Sequence, residues 1–144
     1  MKFRYKSSIN PDDSDPTPIA PRIPIVLRGK ETSLQNLGIP DSGSTDITVG
    51  KDIAEILGLP IGKEITIKTA GGEITGHYSK ISLEIPIKHN PVRMKDLSCI
   101  VIPNLDEIIL GRTGFFEPFE ITFCESEKWI NLKDIRGRNL SKRR

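Results

Sequence analysis

Cysteine and histidine, the residues from which most metal sites and disulfide frameworks are built, are scarce in this sequence. Only Cys99, Cys124, His77 and His89 occur among 144 residues. Both cysteines lie in strand-like apolar segments, where buried and unreactive thiols are expected. The four residues show no paired ligand spacing of the kind that zinc sites use. We therefore predict no metal site and no cofactor.

The sequence also lacks long apolar runs and a dominant charge. No run reaches membrane-spanning length, and the segment MKFRYKSSIN lacks the apolar region of a secretory signal, so we expect a cytoplasmic chain without a membrane partner. The 21 basic and 19 acidic residues are interspersed and leave a net charge of +2, which predicts no nucleic-acid partner. The basic C-terminal tail (134–144) is interpreted as a solvated segment in preference to a polyanion-binding patch.

Length and hydrophobic content limit the domain organisation. A chain of 144 residues with 36% hydrophobic content can bury one core but hardly two. We predict an N-terminal strand with a proline-rich connection over 1–21, one folded domain over 22–133, and the basic tail.

Alternating apolar residues and turn signals predict strands in the first part of the chain. KFRYK and RIPIVLRG are predicted strands, and a weaker strand follows and ends at Asp41. On its last part Leu37, Ile39 and Asp41 share one face by the period of two. Asp41 is therefore expected on an apolar face.

One helix and a glycine hairpin are predicted next. GKDIAEILGLP places Ile53, Ile56 and Leu57 at helical spacing, with Gly58 as a C-terminal cap. EITIKTAGGEITGHYSKISLEIPI alternates on both sides of its Gly-Gly pair, the composition that a tight hairpin turn with positive φ angles requires. We interpret it as one long hairpin.

The remaining segments predict further strands. These are LSCIVIP, DEIILG, EITFC and KWINLK, with RTGFFEPF as a short turn or helix and ESEK as the turn between the last two strands. Many strands, one helix and short connections predict an all-β, barrel-like domain.

The order of these elements resembles the retroviral-type (retropepsin-like) aspartic proteases. The chain runs strand, DSGS (41–44), helix, Gly-Gly hairpin, strand and IILGR (108–112), and the resemblance covers about residues 22–133. A lone DSGS is weak, since Asp, Ser and Gly crowd ordinary turns. The hairpin and IILGR in the same order make the resemblance specific. It implies a single closed barrel with one short helix and a glycine-tipped flap, active as a symmetric homodimer.

The resemblance assigns the chemistry to Asp41. In aspartic proteases two carboxylates share one proton, one acting as base on a water molecule and the other as acid toward the scissile carbonyl. This sequence has one Asp-Ser-Gly, so the second carboxylate must come from another copy of the chain. The implied function is an aspartic endopeptidase that hydrolyses peptide bonds between apolar residues of a protein or peptide.

The resemblance also implies active-site support by the residues after Asp41. Ser42 corresponds to the hydroxyl that bonds across the dimer axis, and Gly43 leaves room for the substrate backbone. Ser44 is expected to donate to Asp41, which would favour the ionised carboxylate and place the activity optimum on the acidic side of neutral.

Two further support residues lie in IILGR. Gly111 and Arg112 are implied to pack beneath the catalytic turn, with Asp46 as a possible ion-pair partner of Arg112. The alternative is an exposed arginine that contributes little. The terminal strands, including Trp129, are candidates either for dimer contacts or for simple core packing.

Substrate contacts are implied for two groups of residues. Ile39 and Ile109 match positions that line apolar subsites, although either could simply pack in the core. Ala70, Gly71 and Gly72 would form the flap tip that closes over bound peptide, or a plain hairpin turn if the protease context is set aside.

Two alternatives remain at this point. The first is a catalytically silent homodimerisation or peptide-binding module of the same fold, favoured by Pro40, because a proline inside a central strand removes a backbone donor. The second is an exposed, modifiable serine loop at DSGST, against which the apolar neighbours Ile39, Ile47 and Val49 argue.

Overall fold

The computed structural model describes residues 1–8 and 18–137. These residues form ten strands, one α-helix and one short helical turn, so the predicted all-β class is confirmed. The helix α1 spans Lys51–Leu57, and the helical turn spans Arg112–Phe116. The strands are β1 (Lys2–Arg4), β2 (Ile23–Arg28), β3 (Ser33–Pro40), β4 (Ile47–Gly50), β5 (Glu64–Thr69), β6 (Gly72–Ile85), β7 (Val92–Ile102), β8 (Ile108–Leu110), β9 (Phe119–Cys124) and β10 (Trp129–Asp134).

Six strands close into a barrel, as predicted. They follow the order β2-β3-β8-β4-β7-β6, and β6 returns to β2 through the pair Val26↔Glu84 and its neighbours. Closure leaves these six strands without a free edge. β5 follows β6 at the end of the sheet order, so the β5–β6 hairpin extends from the barrel wall.

The hydrophobic core fills the barrel. Fully buried side chains come from several barrel strands and from the Arg112–Phe116 turn, among them Ile23, Leu27, Ile85, Leu110 and Phe115. Burial of one such side chain contributes about 1.5–3 kcal/mol. The strand that leads to the DSGS turn is therefore anchored to a rigid wall.

The helix begins and ends as predicted, but one of the three residues predicted for its apolar face, Ile56, is not buried. Gly58 adopts φ 62° and ψ 39°, and its amide bonds to the last turn of α1, as a C-terminal cap does. Ala54 and Leu57 are buried, whereas Ile56 is 60% exposed. The helix packs on β4 and β7 through the Ala54–Leu57 face, which leaves Ile56 outside.

The glycine hairpin forms, with its turn one residue earlier than the Gly-Gly pair suggests. Thr69 pairs with Gly72, so Ala70 and Gly71 are the two turn residues. Gly72 alone of the two glycines has a positive φ, 122°. The Thr69 hydroxyl donates to the Gly72 carbonyl at 2.9 Å, which supports this register.

The terminal strands form a second, three-stranded sheet. The predicted pairing across ESEK is confirmed by Trp129↔Cys124, and β1 adds to the other side of β10. The Lys2 ammonium lies 4.2 Å from the centre of the Trp129 ring. Cys99 is buried as expected, but Cys124 is half-buried because it lies at the end of β9.

Parts of two predicted segments lie outside the described residues. These are 9–17 of the proline-rich connection and 138–144 of the basic tail. Across the described part of the chain, no helix combines the length and the apolar composition needed to cross a bilayer.

Candidate active site

Asp41 directly follows the end of β3. β3 runs parallel to β8 through Pro40↔Leu110, and the Asp41 amide continues this ladder by donating to the Leu110 carbonyl at 3.0 Å. Successive residues of a strand direct their amides to opposite sides, so the Pro40 nitrogen faces away from β8. On that side β2 pairs with β3 only as far as Ile23↔Gly38. The missing donor of Pro40 therefore breaks no barrel hydrogen bond.

The turn after β3 holds the Asp41 carboxylate but leaves it open to solvent. Asp41 Oδ1 accepts a hydrogen bond from the Gly43 amide at 2.9 Å, and the Ser44 amide donates to the Asp41 carbonyl at 3.2 Å. Asp41, Ser42 and Gly43 are exposed. A side chain at residue 43 would place Cβ 3.2 Å from Asp41 Oδ1, so glycine keeps this approach free.

The expected contact of Ser44 is wrong. Its hydroxyl donates to the Asp46 carbonyl at 3.3 Å, not to the Asp41 carboxylate. The turn curls back after Asp41, and this carries the Ser44 side chain toward the following residues. The proposed reason for an acidic activity optimum is therefore removed.

Arg112 fastens the turn from beneath. Its Nη1 donates to the Ser42 carbonyl at 2.6 Å and its Nη2 to the Thr45 hydroxyl at 3.3 Å. The Arg112 backbone amide donates to the Ser44 carbonyl at 2.9 Å. Among the described residues Arg112 forms no ion pair, so the expected pairing with Asp46 is wrong. The guanidinium instead satisfies polar groups of the turn.

Gly111 allows the backbone of β8 to approach the same turn. A Cβ on this residue would lie 2.2 Å from the Asp46 carbonyl oxygen and 2.5 Å from its carbon. The neighbouring backbone bond from Thr113 to the Thr45 carbonyl, at 2.8 Å, depends on this approach. Gly111 and Arg112 thus pack against the DSGS turn.

A groove of about 490 Å³ opens beside Asp41. Ile39 and Ile109, both expected at apolar subsites, pair across β3 and β8 and line it. The groove is also lined by Glu107 and Phe123, which the sequence analysis missed. Glu107 shares a strand face with Ile109 by the period of two, and that signal could have found it. Phe123 comes from the terminal sheet and has no such local signal.

The flap tip does not reach this groove. Ala70, Gly71 and Gly72 are exposed, and none of the three lines the cavity at Asp41. The hairpin tip therefore does not contribute to the groove within a single chain. Within residues 1–8 and 18–137, no group of three His, Cys, Asp or Glu side chains is arranged to hold a metal ion.

Comparisons with known proteins found similarity to aspartic proteases. The family model described as Aspartyl protease matches residues 24–113. A solved structure of a retropepsin-like aspartic protease from Rickettsia conorii is 21% identical with a TM-score of 0.55, covering 76% of this chain and 88% of that one. EIAV protease complexed with the inhibitor HBY-793 is 17% identical with a TM-score of 0.44, covering 64% and 81%. No curated protein sequence matches the chain. The Rickettsia likeness shows that the fold is retropepsin-like.

Proposed function

The chain belongs to the aspartyl protease family, and we propose that it is an endopeptidase in which two Asp41 carboxylates, one from each subunit of a homodimer, activate a water molecule. The observation that carries this proposal is the placement of Asp41. Its carboxylate is exposed, is oriented by the Gly43 amide at 2.9 Å, and lies at the wall of an apolar groove. A carboxylate held in this way can lie next to both a second carboxylate and a bound peptide.

The proposed reaction uses the pair as base and acid. One carboxylate takes a proton from water as the water oxygen attacks the scissile carbonyl carbon, and the other donates a proton to the carbonyl oxygen. The resulting diol collapses when the C–N bond breaks and the amine takes a proton. Two carboxylates about 3 Å apart do not ionise together, a property for which aspartic proteases are the standard example.

The second carboxylate is the reason for proposing a homodimer. Asp41 is the only aspartate of the sequence that is followed by Ser-Gly. In a two-fold dimer the same patch of both subunits meets at the axis, so Asp41 can face its own copy. Ser42 is proposed to bond across this axis, and the terminal sheet, in which Trp129 is half-buried, is proposed to offer additional contact surface.

The groove supports a preference for apolar residues next to the cleaved bond. Ile39, Ile109 and Phe123 form its apolar wall, and Phe123 is 42% exposed. Closure of the flap tip, Ala70–Gly72, over bound peptide would bury this wall and exclude water. The silent-module alternative loses its main argument, because the Pro40 nitrogen faces the side of β3 where β2 has ended.

A mixing experiment tests the dimeric mechanism. Native chain and Asp41→Asn are each incubated with a peptide pool from about pH 3 to about pH 7 and the products are read by mass spectrometry. We expect cleavage by the native chain only. When native chain is re-equilibrated with a threefold excess of Asp41→Asn, random pairing should leave about one quarter of the activity.

The matched control is a threefold excess of Asp52→Asn, which replaces an exposed carboxylate of α1 with a carboxamide. This variant should not lower cleavage. Undiminished cleavage in the presence of Asp41→Asn would contradict the shared site. Cleavage by Asp41→Asn alone would remove Asp41 from the chemistry.

A further inference from the structure

A second cavity, of about 600 Å³, adjoins the groove at Asp41. Glu107 is the lining residue that the two cavities share. The second cavity differs in character from the apolar groove, because Lys6, Arg22, Asn36 and Asp106 contribute polar groups to it. A peptide that extends past the apolar groove along this side must therefore cross Glu107 and enter polar surroundings.

A buried arginine fixes Glu107 in place. Arg22 is 8% exposed, its Nε donates to Glu107 Oε1 at 3.0 Å, and its Nη2 donates to the same oxygen. Its Nη1 donates to the carbonyls of Lys6 and Pro18 at 2.9 Å and 3.0 Å. The donors of Arg22 are thus largely used within the chain, and its charge serves to hold one oxygen of Glu107.

The other oxygen of Glu107 remains available. The Glu107 side chain is 36% exposed, and among residues 1–8 and 18–137 no hydrogen-bond partner is found for Oε2. A partly exposed carboxylate that lines two cavities and has one oxygen held by Arg22 is a preorganised acceptor. Resting on the proposed endopeptidase function, we infer that Glu107 is a specificity-determining residue that selects peptides carrying Arg or Lys a few residues from the cleaved bond.

The strand geometry sets the expected position of that residue. The second cavity is lined by Leu37, which lies four residues before Asp41 on β3. At about 3.3 Å per strand residue this is about 13 Å along the strand, the length that about four residues of extended peptide cover, so peptide positions up to four residues from the cleaved bond can reach the cavity. In a two-fold dimer each subunit contributes one Glu107, so the preference occurs on both sides of the cleaved bond.

The test compares arginine with citrulline, its neutral isostere, in ten-residue peptides built around a central apolar pair. One Arg or citrulline is scanned over the four positions on each side. Native chain is scored by kcat/KM, and Asp41→Asn is scored by the Kd for fluorescein-labelled peptides. We expect Arg to be preferred about tenfold over citrulline at one position on each side of the bond, two to four residues from it, since hydrogen bonds to charged groups exceed neutral ones.

Variants assign the preference to Glu107. Glu107→Gln keeps the side-chain volume and an oxygen for Arg22, and should abolish the Arg preference, measured as the ratio of kcat/KM for the Arg peptide to that for its citrulline counterpart. Glu31→Gln removes a carboxylate from the exposed β2–β3 turn and should retain the preference. Lys6→Met removes a cation from the same cavity and should increase the preference for Arg over citrulline.

The outcomes separate this inference from the proposed function. Cleavage by native chain without an Arg preference overturns the inference and leaves the endopeptidase standing. If the native chain cleaves no peptide but Asp41→Asn binds Arg peptides selectively, the endopeptidase proposal is overturned and the inference about Glu107 stands. A preference that persists in Glu107→Gln removes the role of Glu107, and a Glu107→Gln chain that fails to fold leaves the native Arg and citrulline comparison as the deciding measurement.

Discussion

The Arg112 guanidinium donates to the Ser42 carbonyl at 2.6 Å, across 70 residues of chain. This bond joins the end of β8 to the turn that presents Asp41, and the same guanidinium also reaches the Thr45 hydroxyl. Two donors of one planar group thus set the shape of the turn. The position of the carboxylate depends on a residue that does not touch it.

Replacing Arg112 should impair cleavage more than folding. Arg112→Lys keeps the charge but loses the planar fork, so the turn is no longer held at two points. We expect kcat/KM to fall about tenfold to hundredfold, mainly in kcat, because small misplacements of reacting groups are costly. The thermal midpoint should change little, since the side chain is exposed. Lys95→Met, an exposed cation on β7, is the control, and full activity of Arg112→Lys would refute this role.

Gly111→Ala should destabilise the fold itself. The added Cβ would lie 2.2 Å from the Asp46 carbonyl oxygen, a backbone atom that cannot move aside freely. We expect the free energy of unfolding to fall by about 1–3 kcal/mol or more, as overpacking does. Urea denaturation in an Asp41→Asn background avoids self-cleavage. Gly137→Ala meets nothing within 4 Å and should leave the midpoint unchanged.

Gly72→Ala should affect the flap more than the barrel. Gly72 has φ 122°, a conformation that costs a residue with Cβ about 1–3 kcal/mol. The hairpin extends from the barrel wall and can relax locally, so the unfolding midpoint should barely change while KM rises about tenfold. Gly71→Ala should have the smaller effect, because its Cβ would approach only Thr69 Oγ1, at 3.9 Å. Equal KM values for the two variants would contradict this reading of the turn.

Glu84 should make stability fall in acid. The hydrogen bond from Arg93 holds the pKa of the Glu84 carboxyl below its ordinary value, and the charge of Arg28 adds to this against the opposing effect of burial. A lowered folded-state pKa means that the contribution is complete above the ordinary glutamate pKa of about 4.3 and is lost as the pH falls through the folded value.

Glu84→Gln should therefore lower the urea midpoint at pH 7 and flatten its decline below about pH 4.3. Part of the decline in the urea midpoint should remain in this variant, because the pKa of Asp134 is also lowered, by its hydrogen bonds from Arg136. Glu31→Gln is the control for removing an exposed carboxylate. If the urea midpoint of Glu84→Gln fell as steeply in acid as that of the native chain, Glu84 would not be the source of the pH dependence.

The two thiols should differ in reactivity. Burial raises the pKa of the Cys99 thiol to about 11, whereas Cys124 is half-buried at the end of β9. Because the thiolate is the reactive form, iodoacetamide at pH 8 should label Cys124 and spare Cys99 until the chain is unfolded in urea. Peptide mapping by mass spectrometry reads the two sites separately, and Cys124→Ser should give an unlabelled native chain.

Local patterns predicted the strand that carries Asp41, the capped helix, the glycine hairpin and the order of elements along the chain. These features depend on neighbours in sequence: alternation along β3, a glycine after α1, and turn residues between strands. They also place Asp41 on the apolar face of its strand, beside Ile39. The fold was therefore accessible from the sequence.

The side-chain contacts of the site could not be predicted from the sequence. Arg112 bonds to Ser42 and Thr45 rather than to Asp46, and Ser44 bonds to Asp46 rather than to Asp41. These alternatives differ by one or two residues within a single turn, and the direction in which the turn curls decides between them. Sequence periodicity carries no information on that direction.

The bond between Arg112 and Ser42 also has a consequence for the order of events during synthesis. The DSGS turn is synthesised before the guanidinium that shapes it, which comes 70 residues later. At ribosomal rates of about 5–20 residues per second, this leaves roughly 4–14 s in which Asp41 exists without its scaffold. A turn that lacks this contact is not held in its folded shape, so the proposed site around Asp41 forms only after β8 and Arg112 have been translated.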